Sequence, residues 1–309
     1  MTALTRAPGN GAVERTQERM THDAFLPAET IELRARARKA VEARLAPYAH
    51  EIGEREESAE SFCWPAFRGL AEEGMFAVPF EAEYGAGLEY PMLGTCTVTE
   101  EIAYWSSSMA GVYDGQCILV PQALTFASPE IRARLLPQLV AGETAFAFAT
   151  TEPEASSDLT PSTLRTEALP TADGGWVVNG RKRWITNSVV AGWVTVLVRE
   201  AERTTMLLVD LKNTPGVTIG TPDKKLGHRG QITADIIFTD AHVPAENVLG
   251  EPGKGLAVAL SCLVRGRIGI GAAGVGVAQA ALDMAVHRLR TRHAFGGPLG
   301  RLQHWQFLM

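Results

Sequence analysis

The spacing of apolar positions changes twice along this chain. From Glu29 to about Glu57 a run rich in Ala, Leu, Arg and Glu carries Ile31, Leu33, Val41 and Leu45 at rough helical spacing, which predicts a helix. A second helix should end at Gly74, because glycine fits a left-handed C-terminal cap. Phe80 to Gly87 reads as a loop, Pro91 to Trp105 as a long helix. Another helix opens at Ser128-Pro129-Glu130, a hydroxyl cap followed by proline at the first helical position, and closes near Gly142. After Thr144 the period shortens. Alternating or β-branched runs at 144–150, 163–168, 176–179, 193–199, 205–211 and 232–238 predict short strands, with turns at Asp173-Gly174 and Asn213-Thr214-Pro215-Gly216. From Gly253 the helical pattern returns through Ala257, Val258 and Leu260 to Leu289.

The order helix, strand, helix predicts an α+β protein: a leader over 1–24, an N-terminal helical domain over 25–143, a middle β domain over 144–250, and a C-terminal helical domain over 251–309. Closely spaced short strands predict a compact antiparallel sheet or small barrel in the middle. At 309 residues, 46% apolar and 21% charged, the composition is that of a globular protein of several domains. A net charge of −6 gives no footprint for nucleic acid or an anionic membrane surface. Four scattered cysteines, Cys63, Cys96, Cys117 and Cys262, suit reduced thiols in a cytoplasmic protein rather than a disulfide frame or metal site. No 18 consecutive residues are apolar, so no membrane span is expected, and the first 20 residues lack the apolar core of a secretory signal.

Three segments carry candidate chemistry. Gly269-Ile270-Gly271-Ala272-Ala273-Gly274 matches the dinucleotide fingerprint literally, but no Asp or Glu follows Asp283 to hold a ribose. Small residues that let helices pack closely are the better reading. Thr150-Thr151-Glu152-Pro153-Glu154-Ala155-Ser156-Ser157-Asp158 is a cluster of hydroxyls and exposed amides at a strand end, or a turn with a Ser/Asp helix cap. In Asn179-Gly180-Arg181-Lys182-Arg183-Trp184-Ile185-Thr186-Asn187, Trp184 and Thr186 point the same way if the stretch is extended. Together the last two describe a surface that hydrogen-bonds the edge of a flat polar ring while an indole covers it.

This pair resembles the flavin-binding segments of the acyl-CoA dehydrogenase family. Further matches follow in order: Glu83-Tyr84-Gly85, Phe146 through Glu152, Lys225-Leu226-Gly227-His228-Arg229-Gly230, Ile237 through Pro244, and Arg292-His293-Ala294-Phe295-Gly296 with Gln303. The resemblance implies FAD as cofactor. Phe148, Thr150 and Thr151 would line the flavin's pyrimidine edge, Trp184 would pack beside the isoalloxazine, and Thr186 would bond near its hydride-accepting nitrogen. Ser157 would sit by the pyrophosphate, while Arg292, Phe295 and Gln303 would reach into a neighbouring subunit's site, implying a homo-oligomer, dimer or tetramer. Arg288, Arg290, Arg292 and Arg301 stand in an acid-free tail apt for a diphosphate, or for a solvated basic helix face.

The chain departs from the pattern at several places. Ser156 stands where the family usually has glycine, at a cost of order 1 kcal/mol if the backbone there is left-handed, and Ala294 replaces a hydroxyl residue. The family's usual glutamate base lies near the end of the C-terminal domain, beyond Met309, so the resemblance implies a C-terminally truncated chain. In some members the base precedes the arginine matching Arg267, but here that place is Gly266, and the acid two residues earlier is Val264. Glu101, Glu152 and Asp158 are the other carboxylates considered, none with a reason to be preferred. Arg267 would border the substrate pocket, or form a structural ion pair.

The function implied is FAD-dependent α,β-dehydrogenation of an acyl thioester, acyl-CoA or acyl-carrier protein, with electrons passing to an electron-transferring flavoprotein. Two alternatives keep the fold: a flavin-dependent monooxygenase or oxidase, and an inactive flavin- or partner-binding paralogue.

Overall fold

Pro47 interrupts the first helix that the apolar spacing predicts as continuous. The computed structural model describes residues 4–6, 12–14 and 25–308, so the leader read over 1–24 falls, apart from strands β1 (Leu4–Arg6) and β2 (Ala12–Glu14), outside the described residues. Helix α1 (Ala28–Arg44) stops before a 3-10 turn that carries Pro47, and α2 (Ala49–Glu54) starts afresh. Helix α3 (Trp64–Glu72) is followed by Gly74 at φ 77°, the left-handed residue expected there. Helix α4 (Pro91–Trp105) forms as predicted.

A helical stretch that the spacing did not suggest comes next. Helix α5 (Ser107–Asp114) runs through a π turn (Gly115–Leu119) into α6 (Val120–Leu124). Its serines, Gly111 and Gly115 dilute helix propensity, and tertiary packing overrides them. Helix α7 (Pro129–Val140) is capped by the Ser128 side chain, which accepts from the Ile131 N–H at 3.3 Å, and Gly142 follows at φ 64°. Ser128→Ala removes that acceptor and lowers stability by about 1 kcal/mol, measured by denaturant unfolding. Phe67, Phe76 and Tyr113 stack in the middle of this helical core.

Seven strands form the central sheet: β3 (Ala145–Ala149), β4 (Glu167–Pro170), β5 (Trp176–Thr186), β6 (Ala191–Glu200), β7 (Arg203–Asp210), β8 (Val217–Ile219) and β9 (Thr233–Val243). Their order is β3-β6-β4-β5-β9-β8, with β7 paired to the other side of β6. The sheet is mixed and open, not a closed antiparallel barrel. β3 runs parallel to β6 because the chain returns to it only after β4 and β5, a crossover rather than a hairpin. β5 is longer than the expected 176–179, since Arg181, Lys182 and Arg183 carry on the strand despite their charge. It pairs with β9 through two irregularities, one between Lys182 and Ile185. Trp184 sits in that bulge at φ 58°, a left-handed conformation costly for a bulky residue.

Helix α8 (Gly255–Thr291) is joined to the sheet at its start, where the Leu256 N–H donates to Thr204 Oγ1 and the Gly253 N–H to Thr205 Oγ1, both at 2.9 Å. It crosses α4 closely: a Cβ at Gly276 would lie 2.2 Å from the Glu100 carbonyl oxygen. The Gly269–Gly274 run is helix interior, as read. Gly269 serves close packing, but Gly271 and Gly274 face open space. By length and apolar composition α8 could cross a membrane, contrary to the expectation from consecutive apolar residues. It packs along one side against α4, α5, α6 and β7. A hairpin of β10 (His293–Ala294) and β11 (Gly297–Pro298) and helix α9 (Gln303–Leu308) follow.

Candidate active site

A buried ion pair fastens the hydroxyl-rich turn to β5. Lys182 Nζ, fully buried, donates to Glu152 Oε1 at 2.7 Å and to the Thr150 carbonyl at 3.1 Å. The Glu152 carboxylate also accepts from the Arg165 N–H at 2.6 Å and the Thr166 N–H at 3.1 Å. One residue on, the Arg183 N–H donates to the Thr151 carbonyl at 2.8 Å. Burial pushes the Lys182 ammonium down to about 8 against the opposing pull of Glu152. Burial acts to raise Glu152, but the Lys182 charge and the hydrogen bonds it accepts bring it below the ordinary carboxylate value.

This lacing puts Thr150 and Thr151 beside the bulge of β5. There Trp184 is 57% exposed, with the Arg183 guanidinium 5.1 Å from its ring centre, and the Trp184 backbone N–H is directed at Asp235 Oδ1. Trp184 is exposed, Ile185 buried and Thr186 half-buried. Because Trp184 is left-handed in the bulge, the stretch is not extended there, so the alternation that would put Trp184 and Thr186 on one side does not apply. Thr186 Oγ1 accepts from Gln231 Nε2 at 3.0 Å. Asn187 turns inward at φ 67°, donates from Nδ2 to the Phe146 carbonyl at 3.1 Å, and keeps a buried Oδ1 without a partner.

Helix α5 and the π turn back this ledge. Gly111 leaves room for Gln231, whose side chain lies 2.7 Å from where a Cβ would stand, and Gly115 faces Asn187. Gln116 Oε1 accepts from the Phe146 N–H at 2.9 Å. Of the residues singled out in the sequence, the fold thus gathers Thr150, Thr151, Trp184 and Thr186, with Phe148 half-buried on the adjoining β3. Ser157 is exposed in the turn. Ser156 is not left-handed, so serine costs nothing there. Arg292, Phe295 and Gln303 point to solvent at the far end of α8, Phe295 at φ 53° on the hairpin tip.

The three carboxylates considered as bases have other work. Glu101 is buried and bonded to Arg38, Glu152 holds Lys182, and Asp158 accepts from the Thr160 N–H at 3.0 Å. Gly266 is packed against Leu119, Val264 is exposed, and so is Arg267. Arg265 rather than Arg267 lines a cavity with Met92, Thr95, Cys117, Ile118 and Pro121. Two residues went unnoticed in the sequence: Gln231, which no motif marks, and Asp114, an acid in the otherwise apolar run Met109–Leu119. The latter signal was legible.

The chain matches the acyl-CoA dehydrogenase N-terminal domain over residues 27–143, the middle domain over 147–241 and the C-terminal domain over 253–309. It is 34% identical to the short-chain specific acyl-CoA dehydrogenase of Rattus norvegicus mitochondria, across 98% of this chain and 74% of that protein. Butyryl-CoA dehydrogenase from Megasphaera elsdenii superposes with a TM-score of 0.85 at 30% identity, covering 93% of this chain and 75% of that one. A glutaryl-CoA dehydrogenase from Mycobacterium smegmatis, solved in complex with FADH2, gives 0.83 at 26% identity over 92% and 71%. Fold and site define an oxidoreductase scaffold. The chain belongs to the acyl-CoA dehydrogenase family.

Proposed function

We propose that this protein binds FAD on the ledge formed by Phe148, Thr150, Thr151, Trp184 and Thr186 and dehydrogenates an acyl thioester between its α and β carbons. The observation that carries this reading is the fastening of Thr150 and Thr151 to the β5 bulge through Lys182 and Arg183, beside an exposed, left-handed Trp184. A large exposed indole in a strained backbone is a cost that a flat aromatic ligand offsets. The half-buried Thr151 supplies a hydroxyl of the kind a flavin ring edge needs.

Bound FAD supplies the two-electron acceptor for the β-hydrogen as hydride. The chain's own residues orient and enclose the reacting group. With FAD bound, Thr151 would donate to the ring edge and Trp184 would shield one face from water, while Gln231 fixes the Thr186 hydroxyl. Ser157, exposed in the turn, would lie by the diphosphate. Arg292, Phe295 and Gln303 serve the site of a second copy, which makes the active protein a homo-oligomer. An electron-transferring flavoprotein takes the electrons, acyl-CoA or an acyl-carrier protein brings the substrate, and the setting is cytoplasmic. Arg267 stands at the mouth of the substrate path.

A second reading, flavin binding without turnover, is favoured by Gly266, which leaves the base position that some family members use on α8 without a carboxylate. The visible absorption spectrum after reconstitution with FAD separates the readings. Flavin bands bleached anaerobically by an acyl-CoA are expected. Bands that no acyl-CoA or acyl-carrier thioester bleaches would leave the second reading standing, and failure to retain flavin would sink both.

A further inference from the structure

Thr186 ends β5, and its hydroxyl oxygen accepts from Gln231 Nε2 at 3.0 Å. A hydroxyl that accepts from an amide keeps its own proton to give. Among the described residues no protein acceptor takes that proton. The direction of the Gln231 amide is set at its other end. Oε1 faces His228 Nδ1 at 3.1 Å, and a carbonyl oxygen only accepts, so the ring nitrogen carries the proton and Nε2 is the end turned to Thr186.

The loop that carries Gln231 is clamped from the N-terminal helices. Lys225 Nζ donates to the Gln231 carbonyl at 2.8 Å and pairs with the buried carboxylate of Glu57, which also accepts the Lys225 N–H at 2.9 Å. Gly230 lies against α2, where a Cβ would collide with Ile52 Cγ2. Gly111 of α5 leaves the space that the amide fills, since a Cβ there would stand 2.7 Å from Gln231 Cδ and Oε1. The Gln231 N–H donates to the His228 carbonyl at 3.0 Å, and His228 is left-handed at φ 53°. A non-glycine residue holds that backbone only where its surroundings over-determine it. On the sheet side, the Ile232 carbonyl accepts from the Asn187 N–H at 2.9 Å, which ties the loop to the residue after Thr186. The N-terminal helices thus reach the ledge through one side-chain amide.

We propose that Gln231 is a positioning residue for the flavin: by donating to Thr186 Oγ1 it leaves the threonine proton for the ring nitrogen that accepts hydride. The inference rests on the dehydrogenase reading above. A donor at that nitrogen favours the reduced ring, where electron density has risen, and a hydroxyl polarised by an amide N–H donates more strongly. The clamp from Glu57, Ile52 and Gly111 therefore sets how readily the bound flavin takes electrons.

The test compares wild type, Gln231→Leu, Gln231→Glu and Thr186→Val. Each apoprotein is titrated with FAD, and the bound flavin is then reduced at equilibrium against reference dyes. Gln231→Glu is the discriminating variant. It keeps the size of the side chain, but near neutral pH its carboxylate has no proton to donate and draws the threonine proton to itself. All three variants are expected to bind FAD about fivefold more weakly, the worth of one hydrogen bond. Their reduction equilibrium should move about tenfold toward oxidised flavin, roughly 30 mV for a two-electron couple. Adding Gln231→Leu to Thr186→Val should give no further shift, because the amide acts only through the threonine. Gln231→Glu at the wild-type potential overturns the proposal, the amide then only filling space, while the dehydrogenase reading stands. A further shift of the same size in the double variant overturns it too. Should both Gln231 variants fail to fold, His228→Gly, which accepts φ 53° and frees Oε1, must lower the potential in the same direction. An unchanged potential there, or in Thr186→Val, overturns the proposal equally. Wild type that retains no FAD removes the dehydrogenase reading, and the proposal with it.

Discussion

Glu152→Ala destabilises the protein by about 3–5 kcal/mol, the cost of leaving one member of a buried ion pair alone. Lys182 keeps its buried ammonium, pushed down to about 8 by that burial even with its partner present. Without Glu152 the ammonium retains only the Thr150 carbonyl, and the Arg165 and Thr166 N–H groups lose their acceptor as well. The double variant Glu152→Met, Lys182→Met should recover most of the loss, because two apolar chains of similar volume remove both charges at once. Denaturant unfolding of the two variants tests this; a single variant as stable as wild type would refute it. The acid limb follows from the same carboxylate. Its folded pKa lies below its unfolded value of 4.5, so its contribution is complete above that value and fades as pH falls through the folded one.

Trp184→Gly should separate stability from cofactor retention. Glycine accepts φ 58° freely, so the apoprotein gains up to about 1 kcal/mol from relief of strain. The exposed indole contributes little to the core, which keeps the loss on the other side small. FAD affinity should fall roughly tenfold or more, since an aromatic contact is worth about 1 kcal/mol beyond the area it buries. Titration of the apoprotein with FAD, followed by flavin fluorescence, reads the affinity, and thermal melting reads the stability. Unchanged affinity would remove Trp184 from the ledge.

The sequence carried the succession of helix, sheet and helix because three-to-four-residue and two-residue periods are strong signals over long runs. Ser128 and Gly74 announced their caps through side-chain chemistry alone. Three things were lost. The end of β5 was hidden behind Arg181, Lys182 and Arg183, whose charges are matched only by residues far along the chain, Asp235 and Glu152. Parallel pairing of β3 with β6 depends on a crossover that no local pattern encodes. The helix through Asp114 was obscured by Gly111 and Gly115, the very residues that let it approach the sheet. The ledge was legible as two motifs, but their joining through Lys182 to Glu152 was not, since a lysine at zero exposure cannot be told from a surface one in a basic run.

Helix α8 shows Leu260, Val264, Ile268, Ile270, Val277 and Met284 on its open side. In the test tube such a stripe acts as an adhesive. Dyes that fluoresce on greasy surfaces will light up with the fully native chain, so their signal cannot be taken here as a sign of partial unfolding. Concentrated stocks will be prone to clouding, most of all near the isoelectric point of about 5.7, where mutual charge repulsion is weakest.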